Sequence, residues 1–230
     1  CYSKFLDFNM SSFPWIGVSS ITSDDADKGS SPGDTGSDKD LLDALNFNAS
    51  LPSFQDVFQA NYQAINRSNQ ALSFLPLLTN ADQNLRNRLS GEAKFLRAYE
   101  YFTLVRCFGG VPIVDHVPNP ADDADRTMLL TKKTKEEVYA FIEKDLKDAI
   151  AALPDKSSYS GANVGRASKG PAYALLAKVS LYQKKWQQVV DNCNLVTGYS
   201  LTPNFADIYK ITGENNQESI FEIQGKGGQD

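Results

Sequence analysis

Beyond residue 50, apolar residues recur every three to four positions, a spacing that predicts helices. Over residues 53–78 the stripe is Phe54, Val57, Phe58, Ala60, Tyr62, Ile65, Ala71 and Leu72, closed by Pro76 and Asn80. A second helix is predicted from about Asn80, with Gln83 as a capping partner. It runs through Leu85, Leu89, Ala93, Leu96 and Phe102 to Cys107, and Gly109-Gly110 ends it. Thr134 with Glu137 makes a capping box ahead of a third stripe: Val138, Phe141, Ile142, Leu146, Ala149, Ile150 and Leu153. Pro154 closes that helix. Residues 168–184 carry Tyr173, Leu175, Leu176, Ala177, Val179 and Leu181 with little polar face, which reads as a central helix. Residues 186–196 predict a fifth helix. Residues 111–114 read as a short extended piece, followed by a Pro- and Asp-rich loop to Arg126. Residues 219–224 (SIFEIQ) predict one short strand.

The first 50 residues have a different texture. Phe5, Leu6 and Phe8 suit the tail of a helix, Pro14 stops any helix there, and residues 23–40 read as loop from their Gly, Ser and Asp content. A connection that long is usually functional or disordered. The expected organisation is therefore an irregular segment over residues 1–50, carrying the ligand-loop candidate, and a helical domain over residues 51–230. Gly91, Ala93, Leu96 and Ala98 reappear 79 residues later as Gly170, Ala172, Leu175 and Ala177. Small residues at fixed helix positions let a neighbouring helix approach closely, and each hairpin leaves an apolar face for the next to cover. The fold class predicted is all-α: antiparallel helix pairs stacked in the manner of tetratricopeptide repeats, with long loops and minor short strands.

Composition narrows the chemistry. The 230 residues are 41% hydrophobic and 22% charged, outside the disordered range. No run of about 18 apolar residues is present, so no helical span is predicted. A net charge of -5 argues against a binder that tracks phosphates. Three scattered cysteines (Cys1, Cys107, Cys193) make neither a disulfide framework nor a zinc site, and one histidine, His116, excludes mechanisms that need two. Cys107 reads as a buried small hydrophobe and His116 as a loop hydrogen-bonder. No nucleophile, zincin, phosphate-loop or dinucleotide motif is present, so no enzyme and no cofactor is predicted.

The remaining candidates lie near the start of the chain. Exposed aromatic rings stack on the apolar faces of sugars while nearby polar side chains bond the hydroxyls. Trp15 beside Asp24, Asp25, Asp27 and Lys28 suits that use, and this set is the candidate ligand site. Adjacent carboxylates such as Asp24 and Asp25 are poor glycosidase candidates, because their side chains point apart. The acidic loop also lacks calcium-loop spacing, so no metal site is assigned to it. Packing roles for Trp15 and simple solvation of the loop are the competing readings.

Four ordered motifs carry a family resemblance. Residues 88–114, RLSGEAKFLRAYEYFTLVRCFGGVPIV, hold an R-x-x-G-E-A-x-F-L-R-A helix followed by F-G-G-V-P. Phe58, Tyr62, Ile65 and Asn69 are similar to a W-x3-Y-x2-I-x3-N helix, with Phe58 in place of Trp. Residues 165–179 resemble an R-x-S/T-K-x-A-A-x-x-L-L-A-K segment, and Glu218 to Ile223 resemble an E-x-I-F-E-I strand. Together they resemble the SusD/RagB nutrient-binding outer-membrane lipoproteins of the Bacteroidetes. The resemblance implies a lipid-anchored binder on the extracellular face of the outer membrane. Such a protein captures an oligosaccharide or polysaccharide and delivers it to a TonB-dependent, SusC-like transporter. Two alternatives stay open: a peptide-binding RagB-like protein, and a helix-repeat scaffold without a small ligand. Family members are commonly about twice this length, so the chain resembles an N-terminal half. Cys1 is either the acylated cysteine or an ordinary helix residue. Arg88, Glu92, Arg97, Arg106, Arg166 and Lys169 match family motifs, and the resemblance implies structural roles for them.

Overall fold

The computed structural model describes residues 1–34 and 36–225. They form nine α-helices joined by single turns of tighter or wider helix and by loops. The chain packs as two compact units, residues 1–64 and 65–230.

The first unit opens with one tight helical turn, Tyr2–Leu6, and two short helices, α1 (Phe8–Ser11) and α2 (Phe13–Ile16). Asp7 caps α1 by accepting from the Asn9 N–H at 3.1 Å. Pro14 does not stop the chain from coiling here: it sits in the first turn of α2, where a missing N–H costs no intrahelical bond. A wide turn, Gly17–Ile21, follows, and after the acidic loop comes α3 (Ser37–Asp43). Ile21, Leu42 and Leu51 form a small core with Phe54 against it. Helix α4 (Pro52–Phe74) begins in this unit and continues into the second.

The second unit is built on α5 (Gln83–Phe108), α7 (Lys135–Ala152), α8 (Lys169–Tyr182) and α9 (Trp186–Asn194). Helix α5 packs on α7, α7 on α8, and α8 on α9. The core between them holds Leu96, Phe102 and Leu104 of α5, Val138, Ile142 and Leu146 of α7, and Ala172 and Val179 of α8, all essentially buried. Each such Leu, Ile or Val contributes about 1.5–3 kcal/mol. The two repeated glycines mark close approaches. A Cβ on Gly91 would lie 2.9 Å from Leu153 Cγ, and one on Gly170 would lie 2.3 Å from the Tyr199 hydroxyl. The all-α fold of stacked helix pairs is therefore present.

Several boundaries differ from the sequence reading. Asp82, not Asn80, caps α5, accepting from the Leu85 N–H at 2.8 Å. The capping box of α7 is formed as predicted, with Glu137 N–H on Thr134 Oγ1 at 3.1 Å and Thr134 N–H on Glu137 Oε2 at 2.7 Å. The loop after residue 114 hides a further helix, α6 (Asp123–Leu130), capped by Asp122. The predicted strand at residues 219–224 is not one, and no strand occurs among the described residues. The segment is held by side chains instead of a neighbouring strand. Asn216 Oδ1 accepts from the Glu218 and Ser219 N–H groups, Lys156 Nζ donates to the Ser219 carbonyl, and Phe221 packs edge-on against Phe95 at 5.1 Å.

Candidate functional site

The candidate residues near the start of the chain all lie in the first unit. Trp15 sits on α2, not in a loop, and is half-buried. Around it the surface is apolar: Phe8 and Phe13 are exposed, with ring centroids 6.4 Å apart, and Ile16 is exposed as well. The sequence reading passed over this pair, although two phenylalanines five residues apart in a Ser- and Asn-rich stretch are unusual company for solvent. Asp24, Asp25 and Asp27 are exposed on the loop. Lys28 is committed elsewhere: its ammonium donates to the Ser31 carbonyl at 2.9 Å and pairs with Asp40.

Asp40 organises the loop. One oxygen takes Lys28 and the other accepts the Gly33 N–H at 2.8 Å. The hydrogen bond from Lys28, followed by that from Gly33, holds the Asp40 carboxyl below the usual carboxylate range. Asp38, two residues earlier, is nearly buried, pairs with Lys39 at 3.0 Å and accepts from the Ser53 hydroxyl. Burial works to raise its pKa, but the Ser53 and Lys39 bonds outweigh it and the net shift is down. Both residues belong to the first turn of α3 rather than to the loop, where their charge also complements the helix dipole. The loop thus has an inner face spent on its own geometry and an outer face presenting Asp24, Asp25 and Asp27. Among the described residues no three His, Cys, Asp or Glu side chains converge as a metal would require.

The second unit has a cleft of about 490 Å³ between the α7–α8 connection and residues 195–222. Its lining is rich in polar and aromatic groups, and several of the polar ones are already spent. Lys156 Nζ donates to the Asn216 and Ser219 carbonyls at 2.8 and 2.7 Å and lies 5.1 Å from the Tyr199 ring centroid. Tyr159 donates to the Ala167 carbonyl at 2.8 Å. The side-chain amides of Asn215 and Gln217 donate to Gln224 Oε1 and to the Leu201 carbonyl. A saccharide needs unspent donors and acceptors, because it trades water bonds for protein ones. The Lys156, Tyr159, Asn215 and Gln217 side chains are not free for one.

The motif residues of the second unit are structural. Arg97 is buried and makes a two-pronged pair with Asp145, Nε to Oδ2 at 2.7 Å and Nη2 to Oδ1 at 2.9 Å. Its Nη1 donates to Asn69 Oδ1 at 2.6 Å and to the Asp115 carbonyl at 2.7 Å. Asn69 in turn donates to the Val114 and His116 carbonyls. The Tyr101 hydroxyl accepts the Val114 N–H at 2.7 Å. One arginine, one asparagine and one tyrosine therefore fasten the extended 111–116 segment to α4, α5 and α7. Gly109 takes φ +72°, and a Cβ on Gly110 would fall 2.0 Å from the Lys133 carbonyl, so the F-G-G turn needs both glycines. Glu92 is paired with two motif arginines, Arg166 at 2.8 Å and Arg88 at 3.3 Å. Cys107 is exposed rather than buried, because α5 turns that face outward at its last turn. Partial desolvation still raises the thiol pKa, so it is no activated nucleophile.

A stack of helix pairs, together with a surface loop framed by Lys28 and Asp40, is a helical-repeat architecture. Residues 20–181 match the SusD-like family described as starch-binding and associating with the outer membrane, and the chain belongs to that family. It is 33% identical over 173 residues to SusD-like protein P2 of Formosa agariphila, covering 72% of this chain and 33% of that protein. It is 26% identical to the starch-binding protein SusD of Bacteroides thetaiotaomicron, covering 61% of this chain and 25% of that one. Among solved structures, a SusD-like protein of Bacteroides fragilis superposes with a TM-score of 0.72 at 33% identity, over 81% of this chain and 36% of that one. A laminarin-binding SusD-like protein superposes with a TM-score of 0.73 at 31% identity, over 82% and 41%. The chain spans a third or less of these curated relatives.

Proposed function

We propose that the protein is a glycan-capturing member of the SusD-like family, binding an oligosaccharide or polysaccharide without cleaving it. The observation that carries this reading is the conjunction of the family match with the outward acids of a loop pinned by Asp40. Three exposed carboxylates, Asp24, Asp25 and Asp27, offer acceptors for sugar hydroxyls, and Trp15 offers a ring face. Lys28 serves as the strut that shapes the loop. The likeness to a laminarin-binding structure supports a glucan as the first ligand to try. Capture at the extracellular face of the outer membrane and hand-over to a TonB-dependent transporter complete the proposal.

The test is electrophoresis of the chain through native gels containing laminarin or starch, with a peptide array run on the same preparation. Retardation by a glycan, lost in Trp15→Ala, is the expected result. Unchanged mobility in every glycan removes the reading, and binding on the peptide array alone favours a RagB-like ligand. No reducing ends should be released from any glycan that binds.

A further inference from the structure

We propose that His116 is a pH-responsive clasp: as an imidazolium it ties surface helix α6 to the 111–116 segment, and on losing its proton it lets that helix go. The argument rests on valence. His116 Nδ1 lies 2.7 Å from Asp115 Oδ1, and Nε2 lies 2.8 Å from Asp125 Oδ1. A neutral imidazole has one N–H and one lone pair, and the lone pair would then face a carboxylate oxygen. Bonding both acids at once takes two N–H groups, hence the charged ring.

The two acids come from different places. Asp115 is the neighbouring residue, whereas Asp125 stands on α6, so the Nε2 bond is the one that joins two elements. The other oxygen of Asp125 accepts the Asn119 N–H at 2.7 Å, which draws in the Pro-rich turn between them. The near side of the clasp is rigid, since the buried Arg97 and Asn69 hold the carbonyls of Asp115 and His116. The far side is not. No residue of α6 is buried, and its other end is fastened by the Lys133 N–H on the Val111 carbonyl at 3.2 Å. With little apolar burial to hold it, α6 depends on its polar ties.

The charges around the ring favour the imidazolium. Facing it are Asp115 and Asp125, while Asp122 caps α6 and Asp123 pairs with Arg126. Arg126 also donates to the Pro120 carbonyl, and the Arg97 charge is answered by Asp145 of α7. The hydrogen bonds to Asp115 first and Asp125 second raise the His116 pKa above its usual value. A group whose folded pKa is raised gives its full contribution below the unfolded value, about 6.5, and loses it as pH climbs through the folded value. The clasp is therefore closed in acid and opens as pH climbs through the raised midpoint.

His116 is the only histidine, so its ring resonances in the full chain can be followed by NMR without ambiguity. Amide hydrogen exchange of α6, corrected for intrinsic rates, supplies the second readout. The expected result is a midpoint above 6.5, with α6 protection falling about threefold or more between pH 6 and pH 9. Asp125→Asn should bring the midpoint down towards the ordinary value, and His116→Gln should make α6 protection independent of pH. A wild-type midpoint at or below 6.5, or equal α6 protection at both pH values, overturns the proposal. So does a pH dependence that survives in His116→Gln.

Discussion

Removing Arg97 should be among the most damaging single changes in the second unit. The side chains of Arg97 and Asp145 are 5% and 1% exposed, and the guanidinium makes four hydrogen bonds to three residues. Arg97→Met keeps most of the apolar stem but strands the Asp145 carboxylate in the core, together with the Asn69 amide oxygen and the Asp115 carbonyl. Breaking a buried pair in this way costs about 3–5 kcal/mol, mostly for the charge left behind. For a domain of this size about 1 kcal/mol moves Tm by roughly 2–4 °C, so the loss is on the order of 6–20 °C. Thermal and urea melts followed by far-UV circular dichroism measure it. The companion variant, Arg97→Met with Asp145→Leu, removes both charges and should recover more than half of the loss. The reasoning fails if Arg97→Met costs less than about 1 kcal/mol, or if the double variant is as unstable as the sum of its two singles.

Two further changes test the framework around that pair. Gly110→Ala would push a Cβ to within 2.0 Å of the Lys133 carbonyl, backbone against backbone, and should cost about 1–3 kcal/mol in the same melts; a neutral result would mean the F-G-G turn is not tight. Glu100 is fully buried, neither carboxyl oxygen has a hydrogen-bond partner among the described residues, and burial raises its pKa well above the ordinary value. It holds its proton when folded and gives it up when unfolded, so stability falls as pH rises above the unfolded value of about 4.3, with a slope approaching 1.4 kcal/mol per pH unit. Glu100→Gln should flatten that slope and be the more stable protein at pH 8; parallel stability profiles for the two proteins would refute this.

How much of this was legible beforehand depended on the range of the cause. Helices α4, α5, α7, α8 and α9 announce themselves because a buried stripe must repeat at the helical period, and the capping box of α7 is a signal four residues long. Helix α6 was hidden because none of its residues is buried, leaving no stripe to read; only Asp122 ahead of an Asp-rich turn hinted at a cap. The segment at residues 219–224 has the Ile and Phe content of a strand, but a strand also needs a partner, and composition says nothing about one. At the candidate site the acids were visible from composition. What sets them apart was not: Lys28 and Asp40 are 12 residues apart, and their pairing decides which acids turn inward and which are left for a ligand. The exposed Phe8 and Phe13 were missed for a similar reason, since apolar residues in a helix-like run are normally read as core.

The central proposal is that ligand is gripped by the acidic loop and Trp15 of the first unit rather than by the cleft of the second. A titration of the isotopically labelled chain with laminarin oligosaccharide, watched amide by amide and at the Trp15 indole, tests it most directly. Shifts gathered on residues 13–34 and the indole, saturating with ligand, are the predicted pattern. Shifts gathered instead on residues 155–222, with the loop unmoved, would contradict it.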